Sequence, residues 1–432
     1  MLPRVKNAAS NPLQPLHGVG VLCGLAAGAW LGGAEAPTKL VGASLSPLSV
    51  SLCMVAGVFV ARWTIPSVLQ GSDALFADLH RTKHLVVWGV LAGALWAVAN
   101  TLTIFAIRDV GLTIAFPLWN TNCLVGIFWG WLLFRELQGA PAKNCVKVLG
   151  GAVAILLAAF MLAWSSMQTV ANAPRVHALQ GIVAALGASL VWGTMYVPYR
   201  KAYLSGMNPL SFVTVFTVGE LGTMVLLAAT SHGGVPLIAL QLRLARHQLF
   251  WLFLGGFCWV VGDLFQQYAT KYIGIGRAIP LSNTNQLWGL AWGALVFGEL
   301  AGATPATRWV VVAGSFVMLL GALAISTSTA GPEEHRSTNR AILRECDRYA
   351  LDYERVLACQ TGQDAGERPA AGRRWWDYAI LVVAIAVFAW LANGVVRPAV
   401  PMNPVWVAIL VVLLVLVLLA GGWWLWKKAA FS

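Results

Sequence analysis

Residues 93–137 read GALWAVANTLTIFAIRDVGLTIAFPLWNTNCLVGIFWGWLLFREL, and residues 256–300 read GFCWVVGDLFQQYATKYIGIGRAIPLSNTNQLWGLAWGALVFGEL. Laid over each other without a gap, they agree at 19 of 45 positions. The shared positions include Gly111/Gly274, Pro117/Pro280, Asn120/Asn283, Thr121/Thr284, Asn122/Asn285, Gly126/Gly289, Trp129/Trp292 and Glu136/Glu299. Apolar composition alone does not write P-L-x-N-T-N-x-L-x-G-x-x-W-G-x-L-x-F-x-E-L twice. The chain therefore carries an internal repeat with an offset of 163 residues.

The setting of that repeat is lipid. Of the 432 residues 58% are hydrophobic and 11% charged, against roughly 25% charged in soluble domains. Such a chain cannot cover itself with polar groups, and a span needs about 20 apolar residues. Apolar runs predict ten spans near 18–36, 48–69, 85–107, 112–134, 147–168, 178–199, 210–230, 249–270, 275–297 and 309–327. Two more follow near 376–396 and 404–426. Five spans fall within the offset, and an odd number turns the second copy upside down. Five plus five inverted helices are the plan of a secondary transporter with its site near the midplane. The expected fold is an all-α polytopic membrane protein. Residues 1–168 and 169–328 form its two five-helix repeats, 329–374 a polar cytoplasmic segment, and 375–432 an extra hairpin.

The net charge of +12 does not point to nucleic acid, because Lys and Arg sit in short loops and in 328–374. With the N-terminus inside, 21 of the 29 fall inside and 7 outside, Arg62 lying within a span. The asymmetry predicts cytoplasmic termini. Arg4 and Lys6 ahead of an apolar run, with Ala34-Glu35-Ala36 after it, resemble a cleaved leader; Pro37 and the repeat argue for a retained helix. The seven cysteines are odd in number and show neither a disulfide framework nor metal-ligand spacing.

The motifs G-A-L-W at 93–96, A-F-P-L-W-N-T-N at 115–122 and W-G-W-L-L-F-R-E at 129–136 resemble the drug/metabolite transporter superfamily. Together with V-W-G-T-M-Y-V-P-Y-R-K at 191–201 they are similar to its glucose/ribose porter and rhamnose transporter branch. The resemblance covers roughly residues 15–328. It implies a ten-helix fold, cytoplasmic termini and proton-linked or facilitated movement of a small polar metabolite. The tail departs from the ten-helix pattern.

Several residues suit that task. Asn120, Thr121 and Asn122, and Ser282 to Gln286 with Asn283 and Asn285, are polar clusters just after a proline inside apolar runs. Their amides and hydroxyls offer donors and acceptors to a neutral, hydroxyl-rich substrate, or else hold helices together. Trp96 and Asn100 share a helix face, as do Trp259 and Asp263, with Gln266 and Gln267 extending it. An aromatic plate beside polar groups fits a pyranose; packing is the plainer alternative. Asp263 lies mid-span, where an ionised carboxylate is costly and acids often carry protons. Its repeat mate, Asn100, is neutral. Glu220 is a second proton candidate or the ion-pair partner of Arg62. Glu136 and Glu299 end matching helices and need a basic or backbone partner.

Gly20, Gly24, Gly28 and Gly32 form a smooth ridge, and Gly126/Gly130 and Gly289/Gly293 repeat that spacing, which in lipid marks close helix contact. Asn339–Ala358 reads as one helix with Ile342, Cys346, Tyr349, Tyr353 and Val356 on a stripe. It is expected to dock on the membrane or the transporter body, pairing with a second copy in a homodimer being the alternative. Trp375, Trp376, Trp423, Trp424 and Trp426, with Lys427 and Lys428, suit interfacial anchors. No H-E-x-x-H, G-x-S-x-G or intramembrane His–carboxylate set suggests an enzyme or a cofactor. The expected function is a sugar transporter driven by protons in the inner or plasma membrane. An exporter of drugs or other metabolites, and a transporter-like sensor, are the alternatives.

Overall fold

A computed structural model describes residues 16–41, 45–110, 115, 118–169, 178–231, 233–298, 300–361, 373–396 and 400–431, with only the backbone of 38, 165–169 and 178. Gly111, Pro117 and Glu299, as well as Arg4 and Lys6, lie outside them. The helices are α1 His17–Ala34, α2 Pro47–Leu69, α3 Ser72–Arg81, α4 Val86–Val110, α5 Asn122–Phe134 and α6 Ala142–Thr169. There follow α7 Ala178–Leu204, α8 Pro209–Thr230, α9 Gly234–Leu244, α10 Leu249–Ile273, α11 Ile275–Ser282 and α12 Asn285–Ala291. The last are α13 Pro305–Ser326, α14 Pro332–Tyr349, α15 Tyr353–Thr361, α16 Trp375–Asn393 and α17 Pro404–Ala429.

Ten of these are long and apolar enough to cross a membrane. The predicted spans at 112–134 and 275–297 are broken instead, at Asn120–Thr121 and at Asn283–Thr284, and a π-turn Trp292–Val296 follows α12. Breaks at matching positions of two repeats mark the binding region in transporters of this plan. Helix starts follow from the sequence: Ser46, Asn208, Thr304 and Asn403 each precede a proline and cap the first turn with a side-chain oxygen.

The packing is pseudo-symmetric. α1 lies against α10 as its mate α7 lies against α4; α2 meets α10 as α8 meets α4; α6 meets α13. The glycine ridge is what lets α1 in. A methyl on Gly28 would stand 2.3 Å from Thr284 Oγ1, and one on Gly32 2.3 Å from the Asn285 carbonyl oxygen. Gly126 likewise faces Ile279, whereas a methyl on Gly289 would meet nothing within 4 Å. The repeated position is thus a contact at Gly126 and open space at Gly289.

The extra hairpin sits on this bundle, α16 against α2 and α10 and α17 against α1. Trp375, Trp423 and Trp426 are exposed, as anchors require, while Trp376 turns in and donates to Ser72 Oγ. The predicted single helix over 339–358 is two. Ala350, left-handed at φ 52°, ends α14, and Asp352 Oδ1 accepts from Glu354 N to start α15. No glycine or proline announces that break.

Candidate functional site

Three helices bring one buried cation to two buried acids. Arg62 of α2 donates from Nη2 to Asp263 Oδ2 of α10 at 2.8 Å, and its Nε stands 3.9 Å from Glu220 Oε2 of α8. Arg62 and Glu220 are 0% and Asp263 1% exposed. Taking such charges out of water costs several kcal/mol each, so good ligation is required. Asp263 has it. Tyr199 OH donates to its Oδ1 at 3.2 Å and Gln267 Nε2 to its Oδ2 at 2.7 Å, and Tyr203 OH in turn donates to Gln267 Oε1. The guanidinium also lies 3.8 Å from the ring centre of Phe216 and 5.7 Å from that of Trp259. Glu220 is poorer: neither oxygen has a hydrogen-bond partner among the described residues. The expected Arg62–Glu220 contact exists, but the short bond belongs to Asp263.

Trp96 and Trp259 are adjacent, though not as an open plate. Their ring centres are 5.0 Å apart and edge-on, and Trp192 of α7 stands 6.0 Å from each. Trp96 is fully buried in this trio. Asn100 donates to Ser51 Oγ at 2.7 Å.

The broken helices meet across the halves. Asn283 Nδ2 donates to the Asn120 carbonyl at 2.9 Å and to Asn122 Oδ1 at 3.1 Å. The threonines knit neighbours: Thr121 Oγ1 pairs with Ser189 Oγ at 2.7 Å, and Thr284 packs at Gly28. Other polar atoms have no hydrogen-bond partner among the described residues: Asn120 Nδ2, Asn285 Oδ1 and both amide atoms of Gln266. Unmade buried hydrogen bonds cost about 1–3 kcal/mol each, so these groups are poised to accept partners.

Trp192, Tyr199 and Tyr203 carry this site and were not singled out in sequence. Their spacings, with Tyr196, of 4, 3 and 4 put them on one face of α7, a pattern present in W-G-T-M-Y-V-P-Y-R-K-A-Y. Farther along, at the end of the bundle rich in Arg and Lys, Glu136 finds the partners expected of it. It accepts from Ile275 N at 3.1 Å and Gly276 N at 2.8 Å, with Arg200 Nε 3.6 Å away.

A bundle of spanning helices with paired breaks and a dry ionic centre is a multi-pass membrane transporter. Residues 179–327 match the model of the EamA-like transporter family. A Streptococcus pyogenes serotype M6 protein carried under a provisional name as a sugar uptake protein is 27% identical over 246 residues, 56% of this chain and 79% of its own. The glucose uptake protein GlcU of Staphylococcus xylosus is 23% identical over 54% of this chain and 74% of its own. Transmembrane protein 144 homolog B of Dictyostelium discoideum is 29% identical over 24% of this chain and 28% of its own. These matches bear out the kinship with the drug/metabolite transporter superfamily.

Proposed function

We propose that the chain moves a small neutral polar metabolite, a sugar, by proton symport with alternating access, without enzymatic chemistry. The repeats 1–168 and 169–328 are its two transport halves, the termini and 329–374 are cytoplasmic, and the membrane is the plasma or inner membrane. The observation that carries this is the Arg62–Asp263–Glu220 trio. One guanidinium balances one carboxylate; the other is neutral only while it holds a proton. Asp263, with three hydrogen bonds, suits the ionised member, and Glu220, with none among the described residues, the protonated one. Substrate hydroxyls would be met by Asn120 Nδ2, Asn285 Oδ1 and both amide atoms of Gln266, which have no hydrogen-bond partner among the described residues. Asn122 and Asn283 hold the break open, and Trp96 with Trp259 form an apolar wall.

Sugar is favoured over an amphipathic cation because Arg62 already occupies the faces of Phe216 and Trp259 that a cationic drug would use. The names of the sugar uptake relatives support the same choice. The test is uptake of labelled hexoses, pentoses and deoxysugars into proteoliposomes with and without an inward proton gradient. Accumulation of one sugar under the gradient only is expected. Equilibration that ignores the gradient would remove the proton, and silence across the panel by folded protein would remove the sugar.

A further inference from the structure

We propose that α14 and α15 form a clasp that holds shut the mouth between the two halves at the Arg/Lys-rich end of the bundle. Its release then precedes opening at that end; only this last step rests on the transport reading above. These helices lie beyond the repeated helices, yet they grip both copies.

On the second copy, Glu334 takes Arg277 with both oxygens, at 2.7 and 2.9 Å. Glu345 accepts from Lys201 Nζ and from Ser205 Oγ, and Gln360 Nε2 donates to the Tyr203 carbonyl. On the first copy, His84 stacks on Tyr349 at 4.0 Å between ring centres, and Glu333 sits where a methyl on Gly139 would be. Ile342, Cys346 and Val356 bury against Leu204 with Phe134 at the rim. A segment resting on a surface would leave its ion pairs wet. Here the Arg277 and Glu334 side chains are 2% and 7% exposed, so the pair is either made or broken, and breaking it admits water to both charges.

What lies beneath makes this a closure. A cavity of about 340 Å³ separates the helix ends, with His17, Arg200 and Lys271 among its floor and Glu334, His335 and Gln360 in its roof. The floor draws on α1 of one copy and α7 and α10 of the other. The clasp is also joined to the buried trio: the Tyr203 that gives its carbonyl to Gln360 gives its hydroxyl to Gln267, which donates to Asp263.

The test uses the full chain in proteoliposomes. Glu334→Gln with Glu345→Gln removes both anions and keeps their shape, and Arg277→Glu with Glu334→Arg reverses the buried pair. Hydrogen exchange is followed over 332–361 and at the ends of α1, α7 and α10, alongside sugar flux. In the double Gln variant, exchange at both places is expected to rise about tenfold or more, as loss of charge-assisted hydrogen bonds predicts. Flux is expected to rise with it, and the reversed pair to return exchange toward the native level. Exchange that rises in the segment and not at the helix ends would overturn the clasp, and so would unaltered exchange throughout. Flux unchanged after release would overturn its role in opening. A native protein that moves no sugar would defeat the transport reading, while exchange at the helix ends would still decide the closure.

Discussion

Arg62 bonds Asp263 at 2.8 Å across the two copies of the repeat, from α2 of the first to α10 of the second. The bond is possible because Asp263 stands where the first copy has Asn100, so the acid is present once and the cation that answers it comes from the other half.

Replacing each partner should therefore do different damage. Asp263→Asn leaves Arg62 with Glu220 at 3.9 Å; the protein is expected to fold and to exchange sugar while losing accumulation under a proton gradient. Arg62→Ala strands two buried carboxyls and should cost about 3–5 kcal/mol. Thermal unfolding in detergent and gradient-driven uptake separate the two. A fully concentrative Asp263→Asn variant would end the proposed role of that acid.

Glycine positions that look alike in sequence should differ. Gly32→Ala puts a methyl 2.3 Å from the Asn285 carbonyl oxygen and is expected to lose about 1–3 kcal/mol by overpacking. Gly289→Ala enters open space and should stay within about 0.5 kcal/mol of the native chain. Melting temperatures of the two variants check this, and equal losses would contradict the packing of α1 on α12.

The two asparagines of the second break make a similar contrast. Asn283→Ala strips the Asn120 carbonyl and Asn122 Oδ1 of a donor and should cost about 1–3 kcal/mol. Asn285→Ala removes an oxygen that has no partner among the described residues; stability should hold while KM for the sugar rises. Uptake kinetics and unfolding, measured on both, assign structure to one and substrate to the other.

Acid should loosen the clasp. Burial is the main reason that the His335 imidazole titrates below its usual range; Glu334 opposes this and Arg277 adds to it. The docked segment thus binds fewer protons than the free one, and docking weakens as pH falls through the free-histidine value of about 6.5. Burial alone would raise Glu334, yet the hydrogen bonds and charge of Arg277 hold it below the ordinary carboxyl range, so its contribution fails only at lower pH. Exchange over 332–361, corrected for its intrinsic pH dependence, should rise from pH 7.5 to 5.5, and His335→Gln should reduce the rise, with His84 on Tyr349 left as a second histidine at the clasp.

The repeat and ten of the twelve spans were legible because length, apolarity and identity at a fixed offset are local properties of the chain, whereas the breaks in the spans at 112–134 and 275–297 were not. Also legible was the burial of Asp263, Glu220, Asn120 and Asn283, each a polar group inside an apolar run. The partner of Arg62 was not, since which acid it meets depends on how α2 crosses α10 and α8. Trp192, Tyr199 and Tyr203 were hidden among many aromatic residues, where a shared face says packing as readily as function. The flat surface at Gly289 was unreadable for a similar reason: spacing records a smooth face and leaves open what covers it.

The interlaced packing has a bearing on how the protein is made. Helix α1 begins at residue 17 and the helix that receives it, α10, at residue 249, so roughly 230 residues must be synthesised before the two can meet. Until then its glycine edge faces lipid or the insertion machinery. Helix α2 meets α4 and α8 earlier and α10 only then. Helix α4, by contrast, finds α7 and α8 soon after they emerge. Assembly in the membrane is therefore expected to begin around α4, α7 and α8, with α1 seated only after α10 emerges and α6 only after α13.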